Sequence, residues 1–76
     1  MIFTETHLKD VFVIEPEKIE DNRGFFSRVW DENIFKKNDL ETKWVQSSIS
    51  YNLSKGTLRG MHFQKPPYEE TKMIRC

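Results

Sequence analysis

The run "KGTLRGMHFQKPP", Lys55 to Pro67, places an arginine, a glycine and a histidine within four residues and then stops at two prolines. A strand that only filled a core would carry apolar side chains there. Alternation along a strand sets Arg59, Met61 and Phe63 on one face and Leu58, Gly60, His62 and Gln64 on the other. Glycine inside a strand often marks a bulge that re-aims its neighbours, so a bulge at Gly60 is expected to bring Arg59 and His62 to one cavity. The alternative is that Gly60 makes room for a bulky neighbour such as Trp44 while Arg59 stays solvated. If the segments flanking Pro66-Pro67 pair as an antiparallel hairpin centred on Pro67, His62 faces Lys72 and Met61 faces Met73. An ammonium beside an imidazole favours the neutral ring, and a neutral imidazole is a base near pH 7. A solvated lysine and a surface histidine are the plainer alternative.

Two further groups could bind a ligand. Gln46, Ser48 and Ser50 form a polar row that could hydrogen-bond a sugar or a base, or simply face solvent. Arg23, in the turn "DNRG", could grip a phosphate together with backbone N–H groups, or stand exposed. His7 has no partner within pattern reach and reads as surface. The two histidines lie far apart, no H-x-H or H-E-x-x-H spacing occurs, and one cysteine cannot build a thiolate cage, so no metal site is expected. Glycine patterns of dinucleotide or P-loop sites are absent, and no cofactor is expected.

The elements that must position these residues are short. Residues 2–6 and 8–14 read as strands, the second closed by Pro16. "EDNRG", Glu20 to Gly24, is turn chemistry, and "GFFSRVW" a strand after it. "DENIFKK", residues 31–37, reads as a helix with Asp31 as N-cap, acidic residues first, lysines last, and Asn38 as its end. "KWVQSSISYN", 43–52, has period two. "TLRGMHFQ" and "TKMIRC" complete five or six strands. The expected fold class is all-β with one short helix: an antiparallel β-sandwich or barrel.

Bulk numbers narrow the field. The chain has 76 residues, 12 basic and 12 acidic side chains and no net charge, so nothing basic points to nucleic acid. No apolar run is long enough to span a membrane, and the amino terminus lacks the layout of a signal peptide, so a soluble cytoplasmic protein is expected. So short a chain buries little core, and ten aromatic residues are a large apolar load for it. Oligomerisation or a longer native chain would resolve that tension. "TKMIRC" reads as a strand in full stride.

Four motifs, "DNRGFFSRVW", "WVQSSISYN", "KGTLRGMHFQKPP" and "TKMIRC", occur in an order and spacing that resemble the amino-terminal part of the dTDP-4-dehydrorhamnose 3,5-epimerase family. The resemblance runs from Val11 onward. It implies a cupin-type jelly roll without the metal common among cupins, a homodimer, and a nucleotide-sugar substrate. It further implies His62 as the base that takes the proton next to the C4 ketone, and Lys72 as the cation that steadies the enolate. Arg59 and Arg23 match the arginines of the diphosphate site, and Gln46 the glutamine that opens the polar strand. Phe25, counted with the substrate-binding residues, and Phe26 match a dimer-facing aromatic pair. Arg28 stands where the family often has glutamate, and Ser48 where it often has asparagine; both positions belong to nucleotide recognition. The family's carboxylate that orients the histidine, and the tyrosine that returns the proton, lie beyond residue 76.

That chemistry needs two groups at once. A proton beside a carbonyl leaves as the oxygen gathers negative charge, so a base must touch the proton while a cation meets the oxyanion. Residues 1–76 are therefore expected to be the truncated amino-terminal portion of one jelly-roll epimerase domain, inactive alone. Two other readings stand beside it: a non-catalytic nucleotide-sugar-binding or dimerisation module, and a binder of free sugar.

Overall fold

A computed structural model describes all of residues 1–76, which divide into two compact units, 1–42 and 43–76. The first unit holds all the regular secondary structure. Strands β1 (Ile2–Glu5) and β2 (Phe12–Glu15) pair antiparallel, with Phe3 opposite Ile14 and Glu5 opposite Phe12. One face of this ribbon thus carries Phe3, Phe12 and Ile14, all partly buried, while Ile2 and Val13 face outward. The loop between the strands is closed by Thr6 N–H to Val11 O at 3.1 Å, and Asp10 takes a positive φ of 62°. The expected strand over 8–14 therefore starts later, because residues 7–10 are used for the turn.

Strands β3 (Lys18–Asp21) and β4 (Gly24–Ser27) form a second antiparallel hairpin, with Asp21 opposite Gly24. Asn22 and Arg23 are the loop, and Gly24 supplies a φ of 128°, which L side chains rarely adopt. β3 carries a single apolar residue, Ile19, and has no sequence signal of its own. Its pairing with "GFFS" is what makes it a strand. Ser27 Oγ donates to the Glu17 carbonyl at 2.9 Å, and the Met1 ammonium meets Glu17 Oε2 at 2.6 Å. Lys18 Nζ lies 4.5 Å from the centre of the Phe25 ring, a cation–π contact across the ribbon.

Helix α1 (Glu32–Lys37) forms where its cap chemistry predicts. Asp31 Oδ1 accepts from the backbone N–H of Asn33 at 3.0 Å and of Ile34 at 3.1 Å. At the far end, Asn38 is the C-cap and Asp39 takes φ 56°. Leu40 N–H then reaches Phe35 O at 3.0 Å and Asp39 N–H reaches Lys36 O at 3.1 Å, the two bonds of a Schellman ending. Phe35 is the buried hydrophobic residue, 2 % exposed. Its ring meets Phe3 edge-on at 5.7 Å between centres and Trp30 at 6.1 Å. The small core is thus one helix packed by a phenylalanine onto β1.

The second unit carries turns but no paired strand. Thr57 N–H bonds Ser54 O at 3.4 Å and Tyr68 N–H bonds Lys65 O at 2.9 Å. The period-two stretches at 43–52, 57–64 and 71–76 do not form the expected strands. Alternation specifies faces, but a strand exists only when a second backbone satisfies its N–H and C=O groups. All-β character with antiparallel pairing and one short helix is what the first unit displays.

Candidate functional site

Five of the seven residues singled out from the sequence, Gln46, Ser48, Arg59, His62 and Lys72, belong to the second unit; Arg23 and Phe25 belong to the first. In the second unit the best-defined geometry surrounds Arg59. Its Nε donates to Asn52 Oδ1 at 2.6 Å and its Nη2 to the Tyr51 carbonyl at 2.9 Å. The guanidinium therefore clasps the ends of the 52–58 loop, inside which Thr57 Oγ1 donates to Ser54 O at 2.8 Å. These bonds use two of its five N–H groups.

Gly60 follows with φ 112°. A Cβ placed on it would meet only the His62 backbone nitrogen, at 4.0 Å. So glycine is required here by backbone conformation and not by a crowding neighbour such as Trp44. No strand pairing surrounds it, so there is no ladder for the expected bulge to interrupt, and Gly60 is instead a positive-φ bend. His62, two residues on, is exposed. Trp44 is half-buried with its indole N–H lacking an acceptor.

Beyond His62 the chain turns at 65–68 without the arms joining as a ladder. Proline lacks an N–H, and two in succession leave this bend with few backbone donors. Side chains link the arms instead. Lys72 Nζ pairs with Glu70 Oε1 at 3.0 Å. With the Gln64 amide nitrogen facing its acceptors, it donates to Glu70 Oε2 at 3.2 Å and to the Tyr68 carbonyl at 2.9 Å. Glu70 thus spans Gln64 on one arm and Lys72 on the other. The Lys72 ammonium is held by this carboxylate, not by the imidazole of His62.

In the first unit Arg23 sits on the β3–β4 turn. Asp21 Oδ1 accepts from its backbone N–H at 2.8 Å, while Oδ2 accepts from Nη2 at 2.6 Å and Nε at 3.2 Å. Those side-chain bonds from Arg23, then its backbone bond, hold the Asp21 carboxyl below the usual aspartate value, and Asp21 in turn raises the Arg23 guanidinium further. Arg23 is largely solvent-exposed, so its outer N–H edge faces water. Phe25 shares a ribbon face with Lys18 and is 60 % exposed. Gln46 and Ser48 are exposed. Arg28, which departs from the family pattern, reaches Asp31 at 3.4 Å and so serves the helix N-cap.

The residues that hold the candidates in place were not identified from the sequence: Asp21 for Arg23, Asn52 for Arg59, Glu70 for Lys72. Only Asp21 carried a signal, as an aspartate opening an Asx-type turn two residues before the arginine.

Comparison with known proteins adds a second line. A family model described as dTDP-4-dehydrorhamnose 3,5-epimerase matches residues 5–76. A relative of that name from Sinorhizobium fredii is 40% identical over 76 residues, covering all of this chain and 39% of the relative. One from Methanothermobacter thermautotrophicus is 41% identical over 75 residues, covering 96% of this chain and 40% of its own length. One from Escherichia coli is 36% identical over 72 residues, covering 93% and 38%. The chain thus spans about two fifths of the length of the curated relatives it matches. The search of solved structures returns no match.

Proposed function

The chain belongs to the dTDP-4-dehydrorhamnose 3,5-epimerase family, and on that premise we propose that it supplies the base-bearing, amino-terminal portion of a nucleotide-sugar epimerase. The substrate is dTDP-4-dehydro-6-deoxyglucose and the product dTDP-4-dehydrorhamnose, a step toward activated rhamnose. The observation that carries this reading is the family match over residues 5–76, which contains "GTLRGMHFQ" and the lysine ten residues after its histidine.

In the proposed mechanism the His62 imidazole removes the proton at the carbon next to the C4 ketone. The C–H electron pair moves into the C–C bond and the carbonyl pair onto oxygen, where the Lys72 ammonium meets the negative charge. Returning a proton to the opposite face of that carbon inverts it; the family resemblance puts the acid for this step beyond residue 76. Repetition at the second carbon completes a 3,5-epimerisation. Arg59 and Arg23 hold the diphosphate, and holding the sugar raises the effective concentration of base and proton at each other. Gln46 and Ser48 read the nucleotide, and Phe25 borders the substrate. Support for Arg59 in this role comes from its clasp, which fixes the fork while leaving donors for phosphate.

The proposed assembly is a homodimer in the cytoplasm. Ile19 at 69 % and Phe26 at 61 % exposure, paired on one ribbon face, with Phe25 at 60 % on the other, favour the dimer, because exposed apolar side chains gain by being covered. No helix is long and apolar enough to cross a membrane. The reaction test is turnover of the full-length protein in heavy water. Deuterium at both C3 and C5 of the sugar is expected; a sugar recovered without deuterium at either carbon contradicts the proposal.

A further inference from the structure

We propose that Glu70 is a positioning residue for Lys72, fixing the enolate-facing ammonium relative to the arm that carries His62. This rests on the role proposed for Lys72 above. The second unit has no backbone ladder across its Pro66-Pro67 bend, yet a base on one arm and a cation on the other must hold a constant separation to act on one substrate. Glu70 joins Lys72 to the other arm. One carboxylate oxygen takes the Lys72 ammonium at 3.0 Å. The other takes the Gln64 amide at 3.2 Å, and that amide also donates to the Tyr68 carbonyl at 2.9 Å. Gln64 lies two residues from His62 on the same arm, so Lys72 is tied to the base-bearing arm through the Glu70 carboxylate.

The chemistry suits the task. A lysine ammonium is a flexible point charge with three donors, and without a partner its four-carbon stem samples many rotamers. A carboxylate that takes one donor restricts the stem and leaves two donors for an oxyanion. A neutral side chain at 70 that still accepts a hydrogen bond would restrict the stem without adding negative charge beside the enolate.

The experiment compares the full-length protein with its Glu70→Ala and Glu70→Gln variants by steady-state kinetics and by NMR of the Gln64 side-chain amide. Glu70→Ala is expected to lower kcat by up to about 10²-fold, the scale of a misplaced catalytic group, with KM little changed. Glu70→Gln, which keeps an acceptor for Lys72, should recover much of the loss. The Gln64 amide resonances should shift in Glu70→Ala whether or not turnover is measured. A Glu70→Ala enzyme with wild-type kcat, or Gln64 resonances unmoved by the change, overturns the positioning role while leaving the epimerase proposal intact. A wild-type protein that never exchanges solvent deuterium into the sugar overturns the epimerase proposal itself, and the role of Glu70 with it.

Discussion

At the scale of single residues, three carboxylates are tuned by donors that only the folded chain supplies. Asp21 is lowered by Arg23, Glu17 by the Met1 ammonium, and Asp31 mainly by the Ile34 backbone N–H. A carboxyl whose folded-state value is depressed contributes stability above its unfolded value, and loses it as pH falls through the folded value. The melting temperature should therefore be flat above about pH 5 and fall below about pH 4, near the ordinary carboxylate range. Glu17 and Asp21 are exposed and Asp31 is only partly buried, so the effect should be modest and should shrink in high salt. A melting temperature that rises on acidification would contradict it. Arg59 makes a separate prediction. Replacing it with lysine keeps the charge but loses the fork that spans Asn52 and Tyr51. dTDP should then bind the full-length protein about 10–10²-fold more weakly by calorimetry, the size of a hydrogen bond to a charged group. Unchanged affinity would remove Arg59 from the diphosphate site.

At the scale of elements, helix α1 was legible in the sequence because its signals are local. The Asp31 cap, the acidic start, the lysine end and the Asn38 stop all lie within eight residues, and each acts on its immediate backbone. Strand β3 was not legible, because "KIED" becomes a strand only through pairing with "GFFS". The segments after residue 43 show the converse: strong alternation, but no partner backbone to complete it. The same limit governs the site. Motif residues such as His62 and Arg59 were visible as types at a spacing, whereas Asn52 and Glu70, which hold their neighbours, have no pattern that separates them from solvent-facing side chains. Two predictions belong here. Asp39, at φ 56° in the Schellman ending, should give a more stable chain when replaced by glycine, by roughly 1 kcal/mol. A lower melting temperature for Asp39→Gly would mean the aspartate side chain contributes a bond that outweighs the backbone gain. Phe35→Ala should remove about 3–5 kcal/mol, which such a small core cannot absorb. The first unit should then lose its near-ultraviolet circular dichroism from Trp30; a native spectrum would show that the Phe3–Phe35–Trp30 cluster is not what holds α1 to β1.

For the whole molecule, full burial is confined to one residue of the first unit. Phe35 forms the core of residues 1–42, while every residue from Val45 to Cys76 is exposed. Arg59 and Lys72 are therefore held by hydrogen bonds and an ion pair rather than by packing, and exposed pairs of this kind are individually weak. In the proposed mechanism His62 removes the sugar proton while Lys72 receives the oxygen's charge. Its most direct test is positional wash-in of solvent deuterium, followed by mass spectrometry of the sugar, in wild-type and His62→Ala full-length protein with dTDP affinity measured alongside. Label should enter C3 and C5 in the wild type and fall to the uncatalysed level in His62→Ala, with dTDP binding retained. Label entering at the wild-type rate without the imidazole would contradict it.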